Sequence, residues 1–137
     1  MVTLLLACAF ALPAFAQDRA QTVLHLLVYV GVDYGGAVEN GAVKSADEYK
    51  EMVEFTAQAL EGIKALPENP SRAVLVNDAT SLAKLVSDKA DAASVAQASA
   101  RLRWALISAY KLQVAPLRAP DLAVSYTHLT LPTILRV

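Results

Sequence analysis

Oxygen ligands are the chemistry this chain offers most of. Glu51, Glu54 and Glu61 recur at helical spacing, and Glu51 and Glu54, three apart, can converge on one helix face. Hard cations such as ferric iron prefer carboxylate oxygen. With Lys50 and Lys64 interspersed, the same run also reads as a face that simply meets water. Asp33 and Tyr34 follow an apolar run, with Glu39 close by. A loop carboxylate beside a tyrosine binds a cation or caps a helix. His25 lies amid Leu24, Leu26 and Leu27. It reads as a packed histidine bonded to a backbone group, with a metal or redox role as the alternative. Trp104, between Arg101 and Arg103, reads as a packing or interface residue. The two arginines do not share a helix face, which argues against a phosphate patch.

No catalytic or cofactor motif is intact. The stretch Gly31-Val32-Asp33-Tyr34-Gly35-Gly36 has neither the spacing nor the lysine of a phosphate-binding loop. Covalent haem needs Cys-x-x-Cys-His, and Cys8 is the one cysteine, so it cannot supply that motif. Thiolate zinc fails on the same count. No nucleophile–base pair can be assembled, so the chain is not expected to be an enzyme. The 137 residues are 55% hydrophobic with a net charge of -1, which bounds the protein to one small domain. Near-balanced charge gives no pull toward nucleic acid.

The elements that must position these residues lie between two unusual ends. Residues 1–16 carry no charge, run apolar from Val2 to Leu12, and close on Ala14-Phe15-Ala16 before Gln17. Small residues three and one before the break fit a signal-peptidase site. The run is shorter than the roughly 20 apolar residues a membrane span needs. Export with cleavage after Ala16 is the expectation. A buried N-terminal helix is the alternative, and lipid anchoring at Cys8 a weaker one. At the far end, residues 124–137 read VSYTHLTLPTILRV. This stretch resembles the conceptual translation of a sequencing adapter and is expected to be an artefactual, unstructured tail. An edge strand ended by Pro132 is the competing reading. Tyr126 and His128 therefore carry no functional weight, and the natural protein is expected to continue past Ala123.

Residues 17–115 read as a helical module rich in Ala, Leu, Glu, Lys and Gln. A first helix is expected over Asp18–Val32, apolar on nearly all sides and so buried or against a partner. A strand at Leu26–Val32 competes. Gly31, Asp33, Gly35, Gly36, Asn40 and Gly41 mark a turn-rich loop. Asn40-Gly41 is also a hairpin signal, but no clean alternation follows it. Ser45 with Glu48 makes a capping box for a helix carrying Tyr49, Met52, Val53, Thr56, Leu60 and Ile63 on one face and ended by Pro67. Ser71 caps a third helix to Asp88, with Leu75, Ala79, Leu82 and Val86 inward. A fourth runs Asp91–Leu112, with Val95, Ala98, Leu102, Ala105, Ala109 and Leu112 inward. Pro116 and Pro120 make 116–123 an extended linker. The class is all-α, a three- or four-helix bundle.

Three runs carry a family resemblance: Leu24-His25-Leu26-Leu27-Val28-Tyr29-Val30-Gly31-Val32-Asp33-Tyr34, Ala37-Val38-Glu39-Asn40-Gly41, and Glu48-Tyr49-Lys50-Glu51-Met52-Val53-Glu54-Phe55. They resemble the exported N-terminal region of bacterial high-affinity iron permeases of the oxidase-dependent iron transporter family. In many of these a cytochrome c domain and then the membrane permease follow. The segment Pro116–Ala123 looks like the approach to that cytochrome domain. Relatives often carry an acid where Val28 stands and a proline at Gly35 or Gly36.

The resemblance implies a periplasmic helical module of an iron-uptake system. Its partners are the permease membrane domain and the cytochrome c domain, normally of the same chain, which anchors in the inner membrane. The permease's Arg-Glu-x-x-Glu motifs and the haem motif are absent from this sequence. The module is thus expected either to receive iron or to position the haem domain, without transport or haem of its own. Asp33, Tyr34, Glu48, Glu51 and Glu54 match the resembling runs and are the candidate iron contacts. The alternatives are an exported interaction module without metal and the leader part of a soluble c-type cytochrome subunit.

Overall fold

The computed structural model describes residues 12–114. The predicted linker, the C-terminal tail and most of the predicted leader lie outside them. Four helices carry the fold: α1 (Ala14–Ala37), α2 (Ala46–Lys64), α3 (Arg72–Ser87) and α4 (Ala92–Tyr110). A hairpin of β1 (Val38–Glu39) and β2 (Ala42–Val43) links α1 to α2, pairing Val38 with Val43 antiparallel. Each helix packs on the next, and α1 closes the ring against α4. Short connections between long helices favour this arrangement.

The first helix is longer than its sequence suggests. Gly31, Asp33, Gly35 and Gly36 are turn signals, yet all lie inside α1, and the competing strand is absent there. Packing overrides local propensity: a Cβ placed on Gly31 would lie 3.4 Å from the Ser99 Cβ, so the bare backbone lets α4 come close. The Ser99 hydroxyl donates to the Leu27 carbonyl across that seam. The true turn is the Asn40-Gly41 pair, with positive φ at both residues, 50° and 73°. That is the geometry of a two-residue hairpin whose twist matches its strands. The expected loop is therefore a hairpin.

The core is a contiguous cluster with contributions from all four helices. From α3 come Leu75, Ala79, Leu82 and Val86, as the three-four spacing predicts. On α2 the buried residues are Met52, Thr56, Ala59 and Ile63; Val53 is exposed and Tyr49 and Leu60 are half-buried. On α4 the buried line is Val95, Ser99, Leu102, Leu106 and Tyr110, with Leu112 just beyond it. Ala98, Ala105 and Ala109 flank it, half-buried. Full burial of a Leu or Val side chain contributes roughly 1.5–3 kcal/mol, so the larger side chains set the rotation of the helix.

Buried hydroxyls hold the turns. Tyr34 donates to the Ala90 carbonyl at 2.7 Å, and Tyr110 donates to the Pro67 carbonyl at 2.8 Å. Tyr49 donates to the Val86 carbonyl at 3.1 Å. Ser45 caps α2 by accepting from the Glu48 amide at 3.4 Å. At α3 the capping chemistry differs from expectation, since the Ser71 side chain makes no cap bond. Asn69 instead accepts from the Ser71 amide and donates to the Ala109 carbonyl, both at 2.8 Å.

Candidate functional site

A groove lies between the C-terminal half of α1 and the N-terminal half of α2. Tyr29, Val32, Asp33 and Gly36 line it from α1, and Glu48, Glu51, Met52 and Phe55 from α2. The helical period explains the membership. Tyr29, Val32, Asp33 and Gly36 follow three-four spacing, as do Glu48, Glu51, Met52 and Phe55. Tyr29 and Phe55 meet across the seam, ring centroids 6.1 Å apart and planes tilted by 40°. The carboxylates of Asp33, Glu48 and Glu51 line the same groove. Glu48 does not close the capping box; its carboxylate turns toward α1, with Oε2 3.1 Å from where a Cβ on Gly36 would stand. A side chain larger than hydrogen at 36 would push it away.

Three of the five sequence candidates thus share one groove: Asp33, Glu48 and Glu51. None of the three is in an ion pair among the described residues. Three carboxylates along one groove give it an acidic character. The other two candidates lie elsewhere. Glu54 is turned to Lys50, 3.8 Å away, because an i, i+4 neighbour on the same helix is nearer than the groove. Tyr34 points into the core, its hydroxyl bonded to Ala90. Burial raises its pKa above the ordinary tyrosine value, which disfavours the phenolate an iron ligand would need. Among the described residues no three His, Cys, Asp or Glu side chains converge as a metal cluster. The carboxylates are spread along the groove.

His25 is exposed, not packed as its leucine neighbours suggest. Leu24 and Leu27 turn inward, while His25 falls on the outer face of α1 beside exposed Val28 and Tyr29. The first helix is therefore not buried all round. Val32 is 73% exposed and Tyr29 54%. Tyr29 and Phe55 are the groove residues that sequence reasoning passed over as site members. The available signal was the i, i+4 spacing of Tyr29 to Asp33 and of Glu51 to Phe55. Among the described residues no helix is long and apolar enough to cross a membrane.

Comparison with known proteins places this geometry. No curated protein and no solved structure matches the chain. The model of one family does, described as the iron permease-associated 4-helix bundle domain, over residues 14–113. That span opens with the first residue of α1 and closes just past α4. It covers every element described here and more than half of the chain, and the four-helix ring is the architecture the family's description states. The chain belongs to the iron permease-associated 4-helix bundle domain family.

Proposed function

We propose that this bundle is the periplasmic accessory module of an iron-uptake permease, and that its α1–α2 groove receives iron before the membrane part takes it up. The observation that carries this reading is the grouping of Asp33, Glu48 and Glu51, from two helices, around one open groove, with no cation partner among the described residues. Carboxylate oxygen suits iron in either common oxidation state, and ferric iron most. Spread carboxylates favour weak, exchangeable contact. That suits a cargo passed onward better than one held. Transport belongs to the membrane part, because this sequence has no Arg-Glu-x-x-Glu motif. The module itself catalyses nothing. A cytochrome c domain following it in the natural chain would carry the haem, and the full protein would be anchored in the inner membrane.

The test is iron binding by the purified chain, measured by equilibrium dialysis against ferrous iron and against ferric citrate. Asp33→Asn with Glu48→Gln and Glu51→Gln should reduce bound iron about tenfold or more, while Glu54→Gln should leave it within twofold. Equal binding by all forms would sink the iron reading. A second reading rests on the Tyr29–Phe55 pair, which suits a protein contact that positions the haem domain. In that case the isolated chain binds no iron, and Phe55→Ser weakens association with the cytochrome c domain.

A further inference from the structure

The cations of this bundle are unevenly matched. Lys44, Lys50, Lys64, Arg72 and Lys84 each pair with an acid. Arg19 donates to the Ala65 carbonyl, and Lys89 sits over the Tyr49 ring. The three that remain among the described residues, Arg101, Arg103 and Lys111, all belong to α4 and its C-cap, and none has an acidic partner there. The helix itself, from Ala92 to Tyr110, contains no Asp or Glu. Its N-cap Asp91 is about 20 Å along the axis from Trp104, at 1.5 Å per residue.

The same helix carries an exposed aromatic. Trp104 is 59% exposed, far outside the line of Leu102 and Leu106 that enters the core. Positions 97, 101, 104, 108 and 111 follow alternating four-three spacing, which puts Gln97, Arg101, Trp104, Ser108 and Lys111 on one outward stripe. Arg103 starts from the flank, yet its guanidinium lies 5.6 Å from the centroid of the Trp104 ring. Trp104 thus has one guanidinium against its ring, with Arg101 and Lys111 on the same outward stripe. The stripe lies outside the buried line of α4, so the core does not account for it.

We propose that the outer face of α4 docks on the headgroups of anionic phospholipid. Tryptophan prefers the membrane–water interface, where its ring meets the acyl boundary and its N–H meets water. Arginine and lysine on the same stripe meet the lipid phosphates. Charge complementarity favours this occupant, since α4 has no acid along its length and its three cations have no acidic partner among the described residues. This contact is separate from the α1–α2 groove and stands whether or not the groove takes iron.

Trp104 is the one tryptophan in the chain, so its emission reports this face and not any other apolar segment. The purified chain is titrated with vesicles of phosphatidylcholine alone and with vesicles containing one third phosphatidylglycerol. The expected result is a blue shift of Trp104 emission and co-sedimentation with the mixed vesicles only. Arg101→Glu with Lys111→Glu should weaken binding by about fivefold per cation removed, and by more for the reversal. Both positions are exposed, so helical circular dichroism should be unchanged. Trp104→Ser should weaken co-sedimentation while keeping the preference for anionic lipid. Equal binding to both vesicle types, no shift with either, or no loss in the charge-reversed variant would overturn the proposal. An equal shift with soluble poly-glutamate would reassign the face to an acidic protein segment and overturn it as well.

Discussion

Gly62 of α2 leaves room for Val23 of α1: a Cβ on the glycine would stand 2.5 Å from the valine Cγ2. No real Cβ tolerates that distance, so the two helices touch here only because one residue has no side chain. Gly62→Ala should then destabilise the bundle by roughly 1–3 kcal/mol through overpacking. That outcome opposes the helix-propensity gain of about 1 kcal/mol that alanine normally brings. Urea unfolding gives the sign directly. A double-mutant cycle with Val23→Ala should show favourable coupling of about 1 kcal/mol, because the shortened valine makes room for the new methyl.

The buried bond from Ser99 to the Leu27 carbonyl predicts a second effect. Ser99→Ala removes this second bond to the Leu27 carbonyl, which keeps its helical one, at a cost of about 1 kcal/mol. Ser99→Val should cost more, since its extra methyl meets the α1 backbone at Gly31. Thermal melts of the two variants should rank wild type, alanine, valine.

These seams explain what could be read along the chain and what could not. The stripe of α3 was legible because Leu75, Leu82 and Val86 are bulky, with polar residues between them. On α4 the many alanines left the rotation open. Leu106 and Tyr110 settle it by burying more surface than Ala105 and Ala109. The end of α1 was illegible for another reason. Gly31, Gly35 and Gly36 are breakers in an isolated chain and become packing surface only once α4 and α2 arrive. The groove has the same character. Glu51 and Glu54 look convergent on one helix, but the structure turns Glu54 to Lys50 and brings Asp33 and Glu48 in from other turns. Which carboxylates share a groove is a property of two packed helices, and neither sequence segment contains it alone.

Acid should loosen the start of α4. Asp91 accepts from the Ser94 amide at 2.9 Å and from its hydroxyl at 2.7 Å. These bonds, the hydroxyl's first, hold its carboxyl below the usual aspartate range. A folded pKa below the unfolded one contributes stability that is present above the unfolded value. It is lost as pH falls through the folded value. The melting temperature should therefore drop as pH falls below about 4, and Asp91→Asn should flatten that part of the profile while keeping a capping oxygen.

Alkali should attack the opposite property. Burial raises the pKa of both Tyr34 and Tyr110 above the ordinary value. An unfolded chain begins to release tyrosine protons near pH 10, while the folded chain still holds these two. Above that pH the unfolded state binds fewer protons, so stability falls as pH rises. Tyr34→Phe should remove part of this dependence. At pH 7 it should also cost about 1 kcal/mol, because the Ala90 carbonyl loses its donor. Tyr29→Phe makes the informative control. Its ring is exposed in the groove, its removal of a hydroxyl should move the melt by less than about 0.5 kcal/mol, and any change in iron binding should follow this variant and not Tyr34→Phe. If iron binding instead fell with Tyr34→Phe alone, the tyrosine in the core would have to reach the metal. Its bond to Ala90 would then have to break on loading, which a shift in its ultraviolet absorbance on iron addition would reveal.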